Sequence, residues 1–111
     1  MDSEKQIEKA MIEYLNSLPG FFVWKNNSVG IYDAKNQTYR AKSNFDINGV
    51  SDIIGTYKGR FFAVEVKKPG GKATKEQMVF INKINKEGGI AACLDSLATL
   101  KIFVAHLENV H

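Results

Sequence analysis

Two acidic residues and a lysine are spaced so that a hairpin would bring them to one face of a sheet. Asp52 precedes Glu65 by thirteen residues, and Lys67 follows Glu65 by two. Between them, Lys58-Gly59 predicts a tight two-residue turn. In the register that this turn sets, Asp52 lies opposite Glu65, and Lys67 points to the same side because strand side chains alternate. The three side chains should therefore meet.

Two carboxylates at opposing positions repel each other and need a positive partner. The neighbouring positions on that face are apolar (Ile54, Phe61 and Ala63), so we expect partial burial, where unpaired carboxylates cost on the order of several kcal/mol. Oxygen ligands with no Cys or His expected nearby suit Mg²⁺ or Mn²⁺ better than zinc. Two other interpretations stay open: Lys67 bridges both acids in a salt-bridge cluster, or a bulge shifts the register.

The strands of this hairpin are predicted over Val50–Tyr57 and Arg60–Lys67. The second strand carries an apolar stripe on its opposite face, formed by Phe62, Val64 and Val66. One face of the strand thus belongs to a core, and the other presents the acids.

Two helices are predicted from capping-box spacing. Residues 3–18 form the first, because Ser3 and Gln6 have that spacing and apolar residues recur at helical intervals until Pro19-Gly20. Thr74 and Gln77 open the second in the same way.

The remaining segments complete an α/β pattern. A strand is predicted over Phe21–Trp24, and a short buried strand over Ile90–Leu94. Trp24 is expected in the core, with a platform for base stacking as the alternative. Residues 26–49 are polar and irregular, with a small hairpin turning at Lys35-Asn36. From Leu97 onward we predict a helix, with a strand over Lys101–Leu107 as the alternative. The order is α-β-(loop)-β-β-α-β-α, a single mixed domain over residues 1–111.

Three helix residues are candidates for the acidic site, each with a simpler interpretation. Glu8 lies beside the apolar face of the first helix and Glu4 lies one turn earlier, but acids in a first turn also complement the helix dipole. Gln77 either only closes its capping box or reaches the acidic pair from the start of its helix.

Composition narrows the class of protein. The chain has 111 residues, 44% of them apolar, which is enough for one domain with its own core. Cys93 is the single cysteine, expected as a core thiol, so an internal disulfide and a Cys-based zinc cluster are excluded. His106 and His111 lie far from the acids in sequence and are given no catalytic role.

No apolar run is as long as a membrane span, and the N-terminus does not have the features of a secretory signal. We therefore expect a soluble cytoplasmic protein.

Positive charge is concentrated in the middle of the chain. Residues 25–75 hold ten Lys or Arg against four Asp or Glu, although the whole chain carries only +3. This balance suits a polyanion such as DNA, and a solvated lysine-rich surface is the alternative. Because lysine outnumbers arginine thirteen to two, we expect recognition of DNA shape with little reading of base sequence.

The hairpin motif resembles a known nuclease family. Gly49-Val50-Ser51-Asp52, then Val64-Glu65-Val66-Lys67, then Gln77 on the next helix resemble the PD-(D/E)XK superfamily, and most closely its VRR-NUC group. That group comprises small phage and bacterial nuclease domains related to archaeal-type Holliday junction resolvases. Tyr14-Leu15 and Trp24-Lys25-Asn26-Asn27 also resemble its opening helix and strand. The likeness covers most of residues 4–95, and Ser51 departs from the motif's proline.

The resemblance implies roles for the hairpin residues. Asp52 and Glu65 would be ligands of Mg²⁺ or Mn²⁺, with the Val66 carbonyl a third. Lys67 would orient or help to deprotonate the attacking water. Gln77 matches the group's helix glutamine, a supporting active-site residue.

The resemblance also implies a fold and partners. The fold would be a restriction-endonuclease-like α-β-β-β-α-β core, a mixed sheet flanked by helices, and stand-alone members imply a homodimer. The helix-one glutamate of the site, which would also be a metal ligand, corresponds to Glu8, with Glu4 the competing choice. The residues assigned to DNA contact are Lys25, Asn26, Lys68, Lys72 and Lys75.

Three functional hypotheses follow. The first is a metal-dependent DNA endonuclease that hydrolyses phosphodiester bonds in branched DNA, such as a Holliday junction or a flap, with a role in DNA repair in a bacterial or phage-infected cell. The second is a non-catalytic nucleic-acid-binding module with the same fold. The third is a nuclease domain that acts only within a larger complex.

Overall fold

The computed structural model describes residues 3–26, 32–33, 38–39 and 47–110. Its first helix, α1 (Glu4–Asn16), begins at the predicted capping box. The Ser3 hydroxyl accepts the Gln6 N–H at 3.2 Å, and the Gln6 side-chain oxygen accepts the Ser3 N–H at 2.7 Å. These bonds satisfy two backbone donors that a helix start otherwise leaves free. The buried inner face of α1 consists of Ile7, Met11 and Leu15.

The other elements follow in the predicted order. They are β1 (Phe21–Lys25), β2 (Tyr32–Asp33), β3 (Thr38–Tyr39), β4 (Ile53–Tyr57), β5 (Arg60–Val66), α2 (Lys75–Lys86), β6 (Ile90–Leu94) and α3 (Leu97–Val110). The final segment is a helix, so the alternative of a strand at 101–107 is wrong. None of the described helices is long and apolar enough to cross a membrane.

The strands form one mixed sheet and one small hairpin. In the four-stranded sheet the order is β1-β4-β5-β6; β4 is antiparallel to both β1 and β5, and β6 is parallel to β5. β2 and β3 pair separately, Tyr32 with Tyr39, as the predicted small hairpin requires. Its turn at 35–36 lies outside the described residues. Without this small hairpin, the element order is compatible with an α-β-β-β-α-β layout.

Helices cover both faces of the sheet, which makes the architecture α/β in three layers. On one face, α1 and α3 pack on the apolar stripe of β5, where Phe62, Val64 and Val66 are fully buried. On the other face, α2 packs on β5 and β6 through Phe80 and Ile81. β5 is thus buried on both sides, as expected of a central strand.

The turn between β4 and β5 sets the register that the sequence predicted. Lys58 and Gly59 have φ angles of 47° and 87°, and positive φ at both central residues is the geometry of a two-residue hairpin turn. Thr56 consequently pairs with Phe61. The pairing continues to Ile53 with Val64, so no bulge shifts it, and that alternative is wrong.

The prediction that Trp24 lies in the core is wrong. Val23 of β1 points into the core with α1, whereas Phe22 and Trp24 point to the other face and are 66% and 44% exposed. The apolar run of β1 therefore has only one buried side. The reason is that α2 covers β5 and β6 and does not extend over β1.

Candidate active site

Asp52 is held at the end of the β4–β5 pair by both neighbouring strands. Its Oδ2 accepts the Val66 N–H at 2.9 Å, and its backbone carbonyl accepts the Asn26 N–H at 2.8 Å. The Asp52 carboxylate therefore replaces a backbone acceptor just where the ladder between β4 and β5 stops. Because a strand residue directs its N–H and C=O to the same side, the Val66 carbonyl also faces Asp52.

Glu65 is the most unusual residue of the site, because it is a carboxylate with only 2% of its surface exposed. Its Oε1 accepts a hydrogen bond of 2.7 Å from Nε2 of Gln77 and lies 3.8 Å from Nζ of Lys67. Its Oε2 is buried and has no hydrogen-bond partner among the described residues. Oε1 of Glu65 therefore has its partners, whereas Oε2 could still accept a hydrogen bond or bind a cation.

The electrostatics of the pair follow from this burial. Desolvation first, and then the negative charge of Asp52, raise the pKa of Glu65 to about 8. Lys67 acts in the opposite direction but is outweighed. Near neutral pH Glu65 therefore keeps its proton unless a cation takes its place.

Lys67 contacts one acid of the pair. Of the acidic residues that the structure describes, Glu65 alone lies within ion-pair distance of Lys67. The interpretation in which Lys67 bridges both acids in a salt-bridge cluster is wrong. A positive charge between Asp52 and Glu65 must therefore come from elsewhere.

Gln77 both closes its capping box and reaches the acidic pair, so each of its two interpretations describes one of its contacts. Its side-chain oxygen accepts the Thr74 N–H at 2.7 Å and closes the capping box of α2, while its amide N–H₂ donates to Glu65. One side chain therefore ties the start of α2 to the acidic pair. Gly49 packs against the same helix start, since a Cβ there would lie 2.5 Å from the backbone of Glu76.

Cys93 lies closer to the acids than the sequence predicted. The parallel register of β5 and β6 pairs Cys93 with Glu65, so the expectation that no cysteine would be near was wrong. It packs partly buried with the α2 cluster, in agreement with a core thiol. Burial, and then the charge of Glu65, raises the pKa of Cys93, so the thiol stays neutral and is a poor metal ligand at neutral pH.

Glu8 does not join the acidic pair. It lies beside the inner face of α1, as predicted, but its Oε1 makes an ion pair of 3.1 Å with Nζ of Lys25. Glu4 is exposed. Across the described ranges, no third His, Cys, Asp or Glu combines with Asp52 and Glu65 into a group that could hold a metal ion. The role of Glu8 as a ligand stays a prediction.

The residues assigned to DNA contact fall into two groups. Lys68, Lys72 and Lys75 are exposed in and just after the segment that joins β5 to α2, next to the acidic pair. Asn26 adjoins Asp52 through its backbone, whereas Lys25 is engaged with Glu8 on the α1 side of the sheet. The first group therefore follows Lys67 along the chain and Asn26 adjoins Asp52, whereas Lys25 contacts α1.

The donor set of the site fits a hard divalent ion. Asp52 and the free oxygen of Glu65 are anionic oxygen donors, and the Val66 carbonyl is a neutral one, which is the ligand chemistry of Mg²⁺ or Mn²⁺. Sequence reasoning did not anticipate Ser51, which is fully buried with a hydroxyl that has no partner among the described residues. The position where the nuclease motif has proline therefore carries an unsatisfied hydroxyl.

No protein-family model, no curated protein and no solved structure matches this chain.

Proposed function

We propose that this protein is a metal-dependent endonuclease that hydrolyses phosphodiester bonds in branched DNA. The observation that carries the proposal is the buried Glu65 next to the half-buried Asp52, with Lys67 beside it and one Glu65 oxygen unsatisfied. A buried carboxyl group that must hold a proton or a cation beside a second acid makes folding less favourable, and such arrangements are typical of functional sites. The resemblance to PD-(D/E)XK nucleases supports the same activity.

The residues of the site have separable roles in this proposal. Asp52, Glu65 and the Val66 carbonyl would hold Mg²⁺ or Mn²⁺. When bound, the ion supplies neutralisation of phosphate charge and activation of water. Gln77 fixes the orientation of the Glu65 carboxylate through its bond of 2.7 Å. Lys67 places an ammonium group, 16% exposed, where it orients the attacking water and stabilises charge that develops on the phosphate.

The branched substrate and the dimer are parts of the same proposal. Lys68, Lys72 and Lys75 would hold the DNA backbone on either side of the cut, where phosphate contacts position DNA without reading its sequence. Two such sites in a homodimer would act on the two strands of a junction. Light scattering of the purified protein should then give twice the mass of one chain.

Cleavage of a DNA panel tests the activity. Linear, flap, bubble and four-way DNA are incubated with the protein and Mg²⁺ or Mn²⁺, and we expect cutting of the branched forms. Lys67→Ala should lower the rate at least ~100-fold, and Asp52→Asn should do the same, while DNA binding survives. The matched control is Lys86→Ala, an exposed lysine in the last turn of α2, which should cut like the wild type.

Two outcomes would contradict the proposal. Unchanged cutting by Lys67→Ala would remove the mechanism. Salt-sensitive DNA binding without cutting in either ion would instead favour the non-catalytic module.

A further inference from the structure

Two aromatic side chains are exposed on the sheet face that carries the acids. Phe22 and Trp24 are 66% and 44% exposed, and their ring centroids lie 5.4 Å apart at an interplanar angle of 46°. Burying such rings is normally favourable, because each offers ~150–250 Å² of largely apolar surface. Neighbouring exposed rings therefore indicate a surface that binds something.

The strand register places these rings beside the candidate site. Trp24 pairs with Ile54, and Ile54 pairs with Ala63, so the three side chains form a row across the sheet. Asp52 and Glu65 lie one position beyond the last printed pair of β4 and β5, where the Asp52 carboxylate accepts the Val66 N–H. Trp24 and Asp52 are therefore close to the geometry of diagonal neighbours, which lie ~7–8 Å apart across a strand pair. A single nucleotide spans such a distance between its phosphate and its base.

We propose that Phe22 and Trp24 form a stacking platform for an unpaired nucleobase of the DNA whose phosphate would bind at the divalent ion held by Asp52 and Glu65. This inference rests on the proposed function and specifies its substrate: DNA with an unpaired nucleotide next to the cleavage position. A base within a duplex is already stacked on both faces, so only an unpaired base offers a free π-face to protein rings. Stacking of this kind tolerates any base, in agreement with the scarcity of arginine.

A nucleic acid explains the platform better than a protein partner does. Two rings supply only part of the ~800 Å² per partner that a stable protein interface buries. The charged side chain nearest the acids also favours a polyanion, since the Lys67 ammonium lies 3.8 Å from Glu65. A cation and exposed rings on one face of the sheet are the combination found in single-strand binding grooves.

The test uses the fluorescence of Trp24, which is the only tryptophan of the chain. Binding is measured with Ca²⁺ in place of Mg²⁺ and Mn²⁺, so that a divalent ion still neutralises the acids, with an oligodeoxythymidylate of about 12 nucleotides and a blunt duplex of the same length. We expect the single strand to quench the fluorescence and the duplex to leave it nearly unchanged. DNA anisotropy gives the Kd of each probe independently of the tryptophan.

Three variants separate stacking from general binding. Trp24→Leu should weaken the Kd for the single strand about tenfold and leave that for the duplex unchanged, and Trp24→Phe should retain most of the affinity. Ile102→Ala is the matched control, because Ile102 is 72% exposed on α3, on the opposite side of the sheet. It should bind both probes like the wild type.

The outcomes distinguish this inference from the proposed function. Quenching by the single strand in a protein that cuts no DNA would support the platform and contradict the nuclease. Cleavage with no quenching, or with an unchanged single-strand Kd in Trp24→Leu, would overturn the platform alone. If Trp24→Leu changes the mass measured by light scattering and leaves DNA affinity unchanged, the rings belong to an interface between copies, which also overturns it.

Discussion

At the scale of single residues, the main feature of the site is the electrostatic repulsion between Asp52 and Glu65. The turn at 58–59 sets the register that brings them together, and burial deprives Glu65 of water. The protein satisfies only one oxygen of Glu65, through Gln77 and Lys67. A buried acceptor without a donor costs about 1–3 kcal/mol, more when it is charged. Without a ligand, these polar residues therefore stabilise the folded protein less than apolar residues of similar size would.

The raised pKa of Glu65 predicts how stability depends on pH in the metal-free protein. The folded state has a pKa of about 8 and the unfolded value is 4.5, so the folded state binds the proton more tightly. This contribution to stability is fully present below pH 4.5 and is lost as pH rises through 8. Urea denaturation in EDTA should therefore give a free energy of unfolding that falls across this window.

Glu65→Gln is the matched control for this prediction. The glutamine keeps an oxygen for the bond from Gln77 and cannot ionise, so the fall in stability should disappear and the variant should be more stable than the wild type at pH 8. Mg²⁺ at pH 8 should stabilise the wild type and not Glu65→Gln. An equal pH dependence in both proteins would mean that Glu65 titrates normally.

The two bonds of Gln77 predict separable effects of substitution. Gln77→Glu keeps an oxygen for the Thr74 N–H but loses the donor to Glu65 and adds a negative charge, so stability should fall more steeply with rising pH. Thr74→Ala removes only the cap and should cost ~1 kcal/mol at every pH. The same urea series measures both. Parallel curves for the two variants would show that the contact with Glu65 is energetically unimportant.

These residues also mark what the sequence was able to predict. The closeness of Asp52 to Glu65 was predictable because a two-residue turn fixes the register of a hairpin, here as far as Ile53 with Val64. The double role of Gln77 was not, because each bond alone explains the residue equally well. Cys93 was missed because the register of a parallel pair depends on how the crossover helix packs, and no turn encodes it.

At the scale of elements, the start of α2 packs closely against the loop before β4, and Gly49 makes this close approach possible because it has no side chain. A Cβ on Gly49 would lie 2.5 Å from the carbonyl carbon and oxygen of Glu76 and 2.7 Å from the nitrogen of Gln77, and its φ is +77°. These neighbours are backbone atoms, so the helix start itself would have to move. The orientation of Gln77 toward Glu65 thus depends on a glycine from another segment.

Gly49→Ala should therefore damage the site as well as the fold. We expect a loss of roughly 2–4 kcal/mol from the clash and the unfavourable φ together, with loss of DNA cleavage. Gly88→Ala is the matched control, because its φ is +93° at the other end of α2 and a Cβ there would meet no atom of the described residues within 4 Å. It should lose only ~1–2 kcal/mol and cut normally. Equal effects on cleavage would mean that the helix start does not position the site.

The error over Trp24 also belongs to the scale of elements. An apolar run such as 21–24 fits a strand covered on both faces and a strand covered on one. Which one forms is decided by whether a helix extends that far across the sheet, and α2 packs on β5 and β6 instead. The strand itself was predictable from its residues, but its exposed face was not.

At the scale of the whole molecule, exposed lysines form separate groups on the two sides of the sheet. Lys68, Lys72 and Lys75 lie in and just after the segment that joins β5 to α2, beside the acidic pair. The lysines of α1 and α3 lie in the layer on the opposite face, where Lys9 approaches Glu13 and Lys101 lies over Tyr14. DNA that enters the candidate site should contact the first group only.

This division predicts the salt dependence of DNA binding. Each phosphate contact contributes about 0.9 to the slope of log K against log salt for duplex DNA. Replacing Lys68, Lys72 and Lys75 together by alanine should therefore reduce the slope by ~2–3. Replacing Lys5, Lys9 and Lys101, which are exposed in the α1–α3 layer, removes the same charge and should leave the slope nearly unchanged. Anisotropy titrations of one duplex at several salt concentrations measure both. Equal reductions would mean that net charge attracts the DNA and that no particular face binds it, because only local contacts distinguish the two sets of lysines.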